Sequence, residues 1–455
     1  MSFYINRRHF LKSAAAATIF SAYGAYGHHL MFPSKKLKVG LIGTGWYGKN
    51  DLLRLIQVTD VEVVALCDVD KNMLNEASEL ISRRNNQSKR PALFTDYRTM
   101  LSSEEMDVVL IGTPDHWHAL NTIEALQAGC HVYVQKPTGV DVMEGEAMVK
   151  ATQKYNKVVQ VGLQRRSTPH LIDAKENIID KGLLGKIGHV EMCCYYHMRA
   201  NGTRETKPIP NFFDYDMWCG PAPKLDYTGL PHRSWWRSHM EYGNGIMGDM
   251  CVHMLDAVRW MLGLGWPIKI QSQGGIFVQK GGFSNIADTQ TAIFEYEDFN
   301  CVWNHRSWGR PDDPEYPWAF FIHGEKGVLK ASVKKYEFIS TDGKTHIKKD
   351  VVYEREKFPE DVTEKNIELH VAPATRGHMM DFLSAIDQGK KPVASIEQGH
   401  ISSASCIIAN LAMKLERPLR YNPATRKFLS DDAANALLAR KYREGWQHPF
   451  PEDFS

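Results

Sequence analysis

The sequence predicts an α/β fold, with an N-terminal domain built on a doubly wound parallel sheet and a second domain after it. Between residues 37 and 163, short apolar runs alternate with amphipathic helical segments, which is the pattern of consecutive βαβ units. A glycine-rich turn joins the first apolar run to the first helical segment. The chain has 455 residues, well above the ~250–300 residues at which a single hydrophobic core stops growing. We therefore expect two domains.

The first elements are a strand, a tight turn and a helix, read from LKVGLIGTGWYGKNDLLRLI. Gly43 allows the turn, Gly45 lets the backbone approach a pyrophosphate, and Gly48 permits close packing of the helix. The free N–H groups at the start of the helix face the phosphates. The GxGxxG pattern is a weak signal when it stands alone.

The second strand, VEVVALCD, ends at Asp68, twenty residues after Gly48. A carboxylate at this place accepts both ribose hydroxyls of a dinucleotide and repels a 2′-phosphate. The strand, the spacing and the acid together therefore predict NAD as the cofactor, in preference to NADP. A glycine-rich turn in an α/β domain that binds no nucleotide stays open as the alternative.

Three further strands are predicted within DVVLIGT (107–113), HVYVQKP (131–137) and VVQVGL (158–163). Helices are expected between them, over about 116–128 and 142–155. Ligands of such sheets bind beyond the carboxyl ends of the strands, so the residues just after each strand are site candidates. These residues are Thr113 to His118, Gln135 to Pro137, and Gln164 to Arg166.

In the second half, GNGIMGDMCVHMLD (243–256) predicts a helix whose polar stripe borders a buried surface. Helical spacing places Asp249, His253 and Asp256 on one face, beside an apolar arc. For an isolated match, a surface helix with a polar face is an adequate interpretation. A chemical role requires a cofactor site nearby.

Charge and cysteine content exclude several classes of function. Lys and Arg total 55 against 53 for Asp and Glu, which gives no electrostatic case for nucleic acid or an anionic membrane. The eight cysteines form no CxxC pair and no zinc-type spacing. His116 and His118 at a helix start point in different directions, so we assign no metal. We expect a small-molecule partner.

The N-terminus, residues 1–30, is predicted to be a targeting segment. Arg7 and Arg8 precede Phe10, Leu11 and a short alanine-rich apolar run. The pattern resembles the twin-arginine export signal, which implies passage through the twin-arginine translocase and a periplasmic location. The run is too short for a permanent membrane anchor. A cytosolic N-terminal helix is the alternative.

Five motifs together resemble the Gfo/Idh/MocA family of NAD(P)-dependent oxidoreductases. They are the glycine fingerprint with Asp68, then TPDHWH, QKP, QRR and GDMCVHMLD, in this order. The resemblance implies an NAD-binding Rossmann domain over 36–163. It also implies an α+β domain over 164–455, with a large, mostly antiparallel open sheet that covers the nicotinamide. Strands of this sheet are expected in HVEMCCYYHM and TAIFEYEDFNCVWNH, and its exposed face is consistent with a homo-oligomer.

The resemblance also implies two sets of site residues. The cofactor-binding residues are Gly43, Gly45, Trp46, Tyr47, Gly48, Asp68, Thr113, Pro114, His116, His118, Gln135 and Lys136. The substrate-binding residues are Gln164, Arg165, Asp249 and His253. The chain departs from the family pattern at Gln135, where a glutamate is usual, and at Cys251, where a glycine is common.

Oxidation of a secondary alcohol needs a hydride acceptor, a base for the hydroxyl proton and a cation near the oxygen. His253 suits the base, because the unperturbed pKa of histidine is ~6.5. Asp249 orients the substrate, and Lys136, by resemblance, favours the alkoxide. Asp256 is expected to pack within the helix. Tyr195, Tyr196 and His197, on a predicted strand, are additional acid or base candidates.

The sequence therefore predicts an exported NAD-dependent enzyme that oxidises a secondary hydroxyl of a carbohydrate and holds its cofactor tightly. Lys136, Asp249 and His253 are its predicted catalytic residues. One alternative is a redox-neutral glycosidase that acts through a 3-keto intermediate. Another is a carbohydrate-binding protein that retains a nucleotide without catalysis.

Overall fold

A computed structural model of the chain describes residues 36–85, 89–196, 199, 202–363 and 369–455. The predicted export segment, residues 1–30, lies outside the described residues, and so does His197. Residues 37–455 form one compact unit. The domain boundary near Gln164 stays a prediction.

In the described part of the chain, six parallel strands form the first sheet, in the order β3-β2-β1-β4-β5-β6. The order reverses beside β1, which creates the crevice at which such sheets bind ligands. The sequence predicted five of these strands and missed β3, whose three residues are too few for a periodic pattern. The strands are β1 Leu37–Ile42, β2 Val61–Cys67, β3 Ala92–Phe94, β4 Val108–Ile111, β5 His131–Val134 and β6 Val159–Val161.

Helices connect the strands of this first sheet. The helix predicted over 142–155 has these same limits. The helix predicted from about 116 begins as a 3₁₀ turn, Asp115–Trp117, and continues as an α-helix from His118. The helices are α1 Trp46–Val58, α2 Lys71–Arg84, α3 Tyr97–Ser103, α4 His118–Gln127 and α5 Val142–Tyr155.

The second half contains the large sheet that the sequence predicted. Its eight described strands run in the order β14-β13-β12-β11-β7-β10-β9-β8, and every neighbouring pair is antiparallel except β7 with β10. The strands are β7 Ile187–Cys194, β8 Lys269–Gly275, β9 Thr289–Glu295, β10 Asn300–Arg306, β11 Trp318–Gly324, β12 Gly327–Ser332, β13 Lys335–Ser340 and β14 His346–Asp350. A small ribbon pairs β15 Tyr421–Asn422 with β16 Lys427–Phe428.

The strand predicted over 189–198 ends earlier, at Cys194. Cys194 pairs with Trp318, and the residue before Trp318 is Pro317, which has no N–H to continue the antiparallel ladder. Tyr195 and Tyr196 therefore do not lie on a strand, and that prediction was wrong. The segment TAIFEYEDFNCVWNH contains parts of two strands, β9 and β10, joined by a tight turn.

The remaining helices lie in the second half of the chain. They are α6 Pro169–Ala174, α7 Tyr215–Cys219, α8 Pro231–Ser234, α9 Val252–Leu262, α10 Glu360–Thr363, α11 Ala372–Gln388, α12 Ile396–Lys414 and α13 Asp432–Asn435. Two π-helical turns are Lys175–Ile179 and Met247–Cys251, and further 3₁₀ turns are Gln164–Ser167, Trp236–Ser238, Leu369–Val371 and Pro451–Phe454. Among these described helices, none is both long and apolar enough to cross a bilayer.

One continuous hydrophobic core joins the two sheets. Val134 of the first sheet, Met254 of α9, Phe320 of the second sheet and Ile408 of α12 all belong to it. All eight cysteines are buried with free thiols, in agreement with their interpretation as small apolar side chains. Helix α9 packs against β7 and β11 of the second sheet and against the 3₁₀ turn after β6, which places it near the carboxyl edge of the first sheet.

Candidate active site

A cavity of about 460 Å³ lies at the carboxyl edge of the first sheet. Its walls come from the loops after β1, β2, β4 and β5, from the turn before α9, and from residues of the second half. Sixteen residues were predicted for the site, and thirteen of them line this cavity: Gly43, Gly45, Trp46, Tyr47, Asp68, Thr113, Pro114, His118, Gln135, Lys136, Arg165, Asp249 and His253.

The glycine turn after β1 has the shape that a dinucleotide requires. Gly43 has a φ of +87°, and a Cβ there would lie 2.7 Å from backbone atoms of Gly112 and Thr113. No heavy atom lies within 4 Å of the position a Cβ would take at Gly45, so this backbone is open to a ligand. Helix α1 starts directly afterwards and directs free N–H groups at this point. These residues therefore fit the pyrophosphate of a dinucleotide.

Asp68 lines the cavity directly after β2. Its carboxylate accepts from the Thr44 backbone N–H at 2.7 Å, from the Thr44 hydroxyl at 3.0 Å and from the Asp70 backbone N–H at 2.9 Å. Burial raises its pKa, against these hydrogen bonds. A carboxylate offers about four acceptor sites, so capacity remains for a hydroxyl of a ribose.

Lys136 and Asp249 are in direct contact across the cavity. The Lys136 ammonium donates to the Asp249 backbone carbonyl at 2.8 Å and to its Oδ1 at 2.5 Å. Arg237 Nε lies 3.4 Å from Asp249 Oδ2. Burial raises the pKa of Asp249, but Lys136 and Arg237 outweigh it, and the pKa lies below its ordinary value. Asp249 is therefore an anion between two cations at neutral pH.

A π-helical turn, Met247–Cys251, carries Asp249 into this position. Such turns are often found at functional sites, because they interrupt the regular hydrogen bonding of a helix. The sequence predicted a regular helix here, and that detail was wrong. Within this turn, the backbone carbonyl of Asp249 accepts a hydrogen bond from Lys136.

His253 is buried in the wall of the same cavity, with 4% of its surface exposed. Its ring meets the edge of Trp318, with centroids 5.5 Å apart. Within the described residues, its Nδ1 has no hydrogen-bond partner. Burial, Lys136 and Arg165 hold its pKa well below the ordinary value. The imidazole is therefore neutral and able to accept a proton from a substrate hydroxyl.

A third carboxyl group, Asp115, lines the cavity beside this pair. Burial raises its pKa to about 7, which Lys136 opposes and Asp249 reinforces. Asp115 was expected among the site candidates that directly follow β4, but no acid or base role was predicted for it.

Three predicted site residues lie outside the cavity wall. His116 is buried with its Nε2 3.0 Å from the Trp218 carbonyl, outside the cavity wall, and its assignment to the cofactor stays a prediction. Gln164 is buried and donates to the Tyr47 hydroxyl at 3.0 Å, so it supports a cofactor-side residue and does not face a substrate. Gly48 packs against Gly43, where a Cβ would lie 1.9 Å from the carbonyl oxygen.

The loop TPDHWH uses its two histidines differently. His118 faces the cavity, with Nδ1 2.6 Å from the Pro137 carbonyl and Nε2 2.9 Å from the Thr113 carbonyl. Burial lowers its pKa to about 4. His118 is therefore a neutral ring between the loops after β4 and β5, and its single N–H donates to one of these two carbonyls, while His116 lies outside the cavity wall.

The two arginines after β6 also differ. Arg165 lines the cavity with its guanidinium 5.0 Å from the centre of the Trp318 ring. Arg166 forms a buried bidentate pair with Asp256, at 2.8 and 2.7 Å. Ser402 of α12 also donates to Asp256. Asp256 therefore anchors α9 and has no contact with the cavity.

Several lining residues were not among the predicted site residues. They share positions in loops or strands far along the chain, where no local pattern marks them: Met217, Trp218, His232, Trp236, Arg237, Trp318, Lys334 and His370. Tyr196, an additional acid or base candidate from the sequence, also lines the cavity. Within the segment HRSWWRS (232–238), His232, Trp236 and Arg237 line the cavity.

Comparison with family models gives consecutive matches along the chain. Residues 37–163 match an oxidoreductase family with an NAD-binding Rossmann fold. Residues 173–330 match the GFO/IDH/MocA C-terminal domain, and residues 341–448 match the C-terminal alpha/beta domain of the oxidoreductase family.

Curated relatives include two proteins from Shewanella. A glycosyl hydrolase family 109 protein of Shewanella baltica strain OS185 is 29% identical over 222 residues, which are 43% of this chain and 47% of the relative. Glycosyl hydrolase family 109 protein 1 of Shewanella sp. strain MR-4 is 28% identical over 318 residues, which are 56% of this chain and 67% of the relative. The match thus spans about half the length of the first relative.

Solved structures share the fold. An oxidoreductase from Agrobacterium radiobacter, in complex with NAD+, L-tartaric acid and magnesium, superposes with a TM-score of 0.63 at 15% identity. The superposition covers 85% of this chain and 98% of that one. With the consecutive family matches and the cavity geometry, this leads to one conclusion: the chain belongs to the Gfo/Idh/MocA family of oxidoreductases and has its NAD-binding Rossmann fold.

Proposed function

We propose that the protein is an NAD-dependent enzyme that oxidises a secondary hydroxyl of a carbohydrate and keeps its cofactor bound. The observation that carries the proposal is the Lys136–Asp249 contact, which lies in one cavity with His253 and the glycine turn. When NAD is bound, its nicotinamide accepts a hydride from the carbon that bears the hydroxyl.

The residues around that hydroxyl have complementary roles. Lys136 has three N–H donors and directs two hydrogen bonds to Asp249. The third is available for the substrate oxygen, where the positive charge favours the alkoxide. The neutral His253 accepts the hydroxyl proton. Asp249 fixes the position of the ammonium, and its negative charge favours the protonated His253 that forms.

A redox-neutral glycosidase is the second candidate, and two observations favour it. The curated relatives are named glycosyl hydrolases. Elimination of an aglycone also needs a group that removes the C2 proton of a 3-keto sugar and one that protonates the leaving oxygen. Asp115, with a pKa of about 7 beside Lys136 and Asp249, is suited to exchange such protons near neutral pH.

A carbohydrate-binding protein without catalysis is the alternative from another class. Simple binding gives no reason for a neutral imidazole, an ammonium and two carboxyl groups to converge next to a dinucleotide site. Incubation of the purified protein with a panel of sugars and aryl glycosides, followed by mass spectrometry of the products, tests all three functions. Keto-sugar supports the oxidoreductase, free aglycone supports the glycosidase, and unchanged substrates support the binding protein.

We further propose a periplasmic location, reached through the twin-arginine translocase, with no permanent membrane anchor. The support for this proposal is the arginine pair and apolar run in residues 1–30. We also propose a homo-oligomer that uses the exposed face of the eight-stranded sheet. Light scattering after size-exclusion chromatography measures the number of chains in the particle.

A further inference from the structure

A segment from the second half of the chain, residues 210–242, crosses the carboxyl edge of the first sheet; we name it the cover segment. On one side it is fixed to the loop after β2. The Lys71 N–H donates to the Phe212 carbonyl at 2.9 Å, and the Asp214 N–H donates to the Val69 carbonyl at 3.1 Å. Phe213 thus pairs with Asp70 in an antiparallel bridge.

On the other side the cover segment is fixed to the loop after β4. The Trp117 indole N–H donates to the Trp218 carbonyl at 3.0 Å, and His116 Nε2 lies at the same distance from that oxygen. Gly220 has a φ of +50°, and a Cβ there would lie 2.1 Å from the Trp117 ring. Only a glycine permits this close contact.

These two attachments lie on either side of the glycine turn. In the sheet, β1 stands between β2 and β4, so a segment fixed beyond β2 and beyond β4 passes over the turn that follows β1. Met217, Trp218, His232 and Trp236 of the cover segment line the same cavity as Gly43, Gly45 and Asp68. The dinucleotide site therefore has a second wall, outside the Rossmann domain.

The cover segment has a hydrophobic core of its own. Its large buried side chains are Phe213, Tyr215, Trp218, Tyr227, Trp235, Trp236 and Tyr242. Tyr242 and Trp218 pack edge to face with centroids 4.7 Å apart. Opening of this wall requires the movement of a packed unit, which is slower than the fluctuation of an open loop.

One side-chain contact joins the cover segment to the ribose side of the site. His232 Nε2 lies 3.1 Å from Asp70 Oδ2. The other oxygen of Asp70 caps helix α2 by accepting from the N–H groups of Asn72 and Met73, and the Asp70 N–H donates to Asp68. The His232–Asp70 contact therefore acts directly beside the carboxylate that faces the ribose.

We infer that the cover segment binds the dinucleotide and retains it between turnovers, with Met217, Trp218, His232 and Trp236 as binding residues. The His232–Asp70 contact holds the cover segment next to the ribose. The inference rests on the proposed function in one respect, that the ligand of the cavity is a dinucleotide. It goes beyond that function because it assigns retention to residues outside the Rossmann domain.

The test is the release rate of the cofactor from His232→Ala. Protein loaded with NADH is mixed with excess NAD, and the loss of bound-NADH fluorescence gives the rate. We expect release at least ~10-fold faster than from the wild type, and less NAD per chain after dialysis, because the 3.1 Å contact between His232 and Asp70 is lost. His232→Gln should restore slow release in part, since its amide N–H can donate to Asp70.

A matched control is Lys224→Ala, on the same segment, where the lysine pairs with Asp216 at the surface; its release rate should equal that of the wild type. Met217→Ala removes part of the cavity wall and leaves the His232–Asp70 contact in place. It should also speed release of the cofactor, so the inference stays testable if His232→Ala fails to fold. Wild-type release rates in folded His232→Ala and Met217→Ala would overturn the inference alone. A wild-type chain that binds no dinucleotide would overturn the proposed function as well.

Discussion

Lys136 Nζ donates to both the backbone carbonyl and the carboxylate of Asp249, a residue 113 positions further along the chain. This contact joins the loop after β5 to the π-helical turn before α9, so each half of the molecule supplies one member of the pair. The positions of these two groups, which we predict to be catalytic, therefore depend on the packing of the two halves of the chain as much as on their own identity.

The first prediction concerns Lys136. Lys136→Met should lower kcat by about 10²–10³-fold, the usual scale for the loss of one preorganised donor at a developing negative charge. The content of bound NAD should change little, because the glycine turn and Asp68 hold the cofactor. Lys175→Met, which removes a surface ion pair with Asp180, is the control and should retain full activity. Near-native turnover by Lys136→Met would assign the oxygen contact to another cation.

The second prediction concerns His253 and pH. His253→Gln should lose turnover by roughly 10²-fold or more while it keeps the cofactor. Because burial, Lys136 and Arg165 lower the pKa of His253, the wild-type base should stay active well below pH ~6.5, the ordinary pKa of histidine. If kcat/KM instead falls on the acid side with a midpoint at pH ~6.5, the pKa of His253 is not lowered. His346→Gln, at an exposed site on β14, is the control.

The same lowered pKa of His253 affects stability. Below pH ~6.5 the unfolded chain takes up a proton on this residue and the folded chain does not. The free energy of unfolding should therefore fall as the pH falls through this range, and His253→Gln should reduce that slope. Urea titrations of both proteins at several pH values measure the difference.

The third prediction concerns Asp68. Asp68→Ala should weaken NAD binding and relax the exclusion of NADP, because a carboxylate beside the ribose accepts its hydroxyls and repels a 2′-phosphate. Titration of the apo-protein with both cofactors measures the two affinities. If the wild-type protein prefers NADP, the Asp68 carboxylate accepts hydrogen bonds from Thr44 and Asp70 and does not select the ribose.

Sequence periodicity identified the first sheet well, because its strands are buried runs separated by helices of regular length. It missed β3, which has three residues, and it extended β7 past Cys194, because Pro317 on the partner strand leaves no mark in the sequence of β7 itself. Both differences arise from pairing between distant segments.

The site residues also divide into those that local sequence motifs predicted and those that depend on pairing between distant segments. Lys136, Asp249 and His253 were identified because they belong to compact motifs. Arg237 and His232 were not, because their partners Asp249 and Asp70 are set by the course of the cover segment, whose helical turns are too short to show a periodic pattern. Asp256 was expected to pack within the helix, and it lies outside the cavity wall; its partner Arg166 could not be found from spacing.

The fourth prediction concerns export and tests Arg7 and Arg8, which lie outside the described residues. Replacement of both by lysine should leave a folded precursor in the cytoplasm, because the translocase reads the arginine pair. Cell fractionation followed by immunoblotting measures the distribution. Unchanged periplasmic delivery of the double variant would show that the pair has no targeting role.

The last prediction separates the two enzymatic functions by the fate of the C2 proton. A ketone at C3 makes this proton acidic, and in the glycosidase an active-site base removes it as the C1–O bond to the aglycone breaks. Water then adds at C1, C2 takes a proton from the solvent, and the ketone is reduced again. In deuterated water, the glycosidase should therefore give free aglycone and a sugar with deuterium at C2, as read by NMR. An oxidoreductase without elimination should give keto-sugar and no aglycone.

Asp115→Asn should slow both deuterium entry and aglycone release, since the amide cannot exchange protons, while the oxidation measured by NADH absorbance in a single turnover persists. Aglycone release by Asp115→Asn at the wild-type rate would assign the proton transfer to another residue, and deuterium-free product with released aglycone would exclude the keto route.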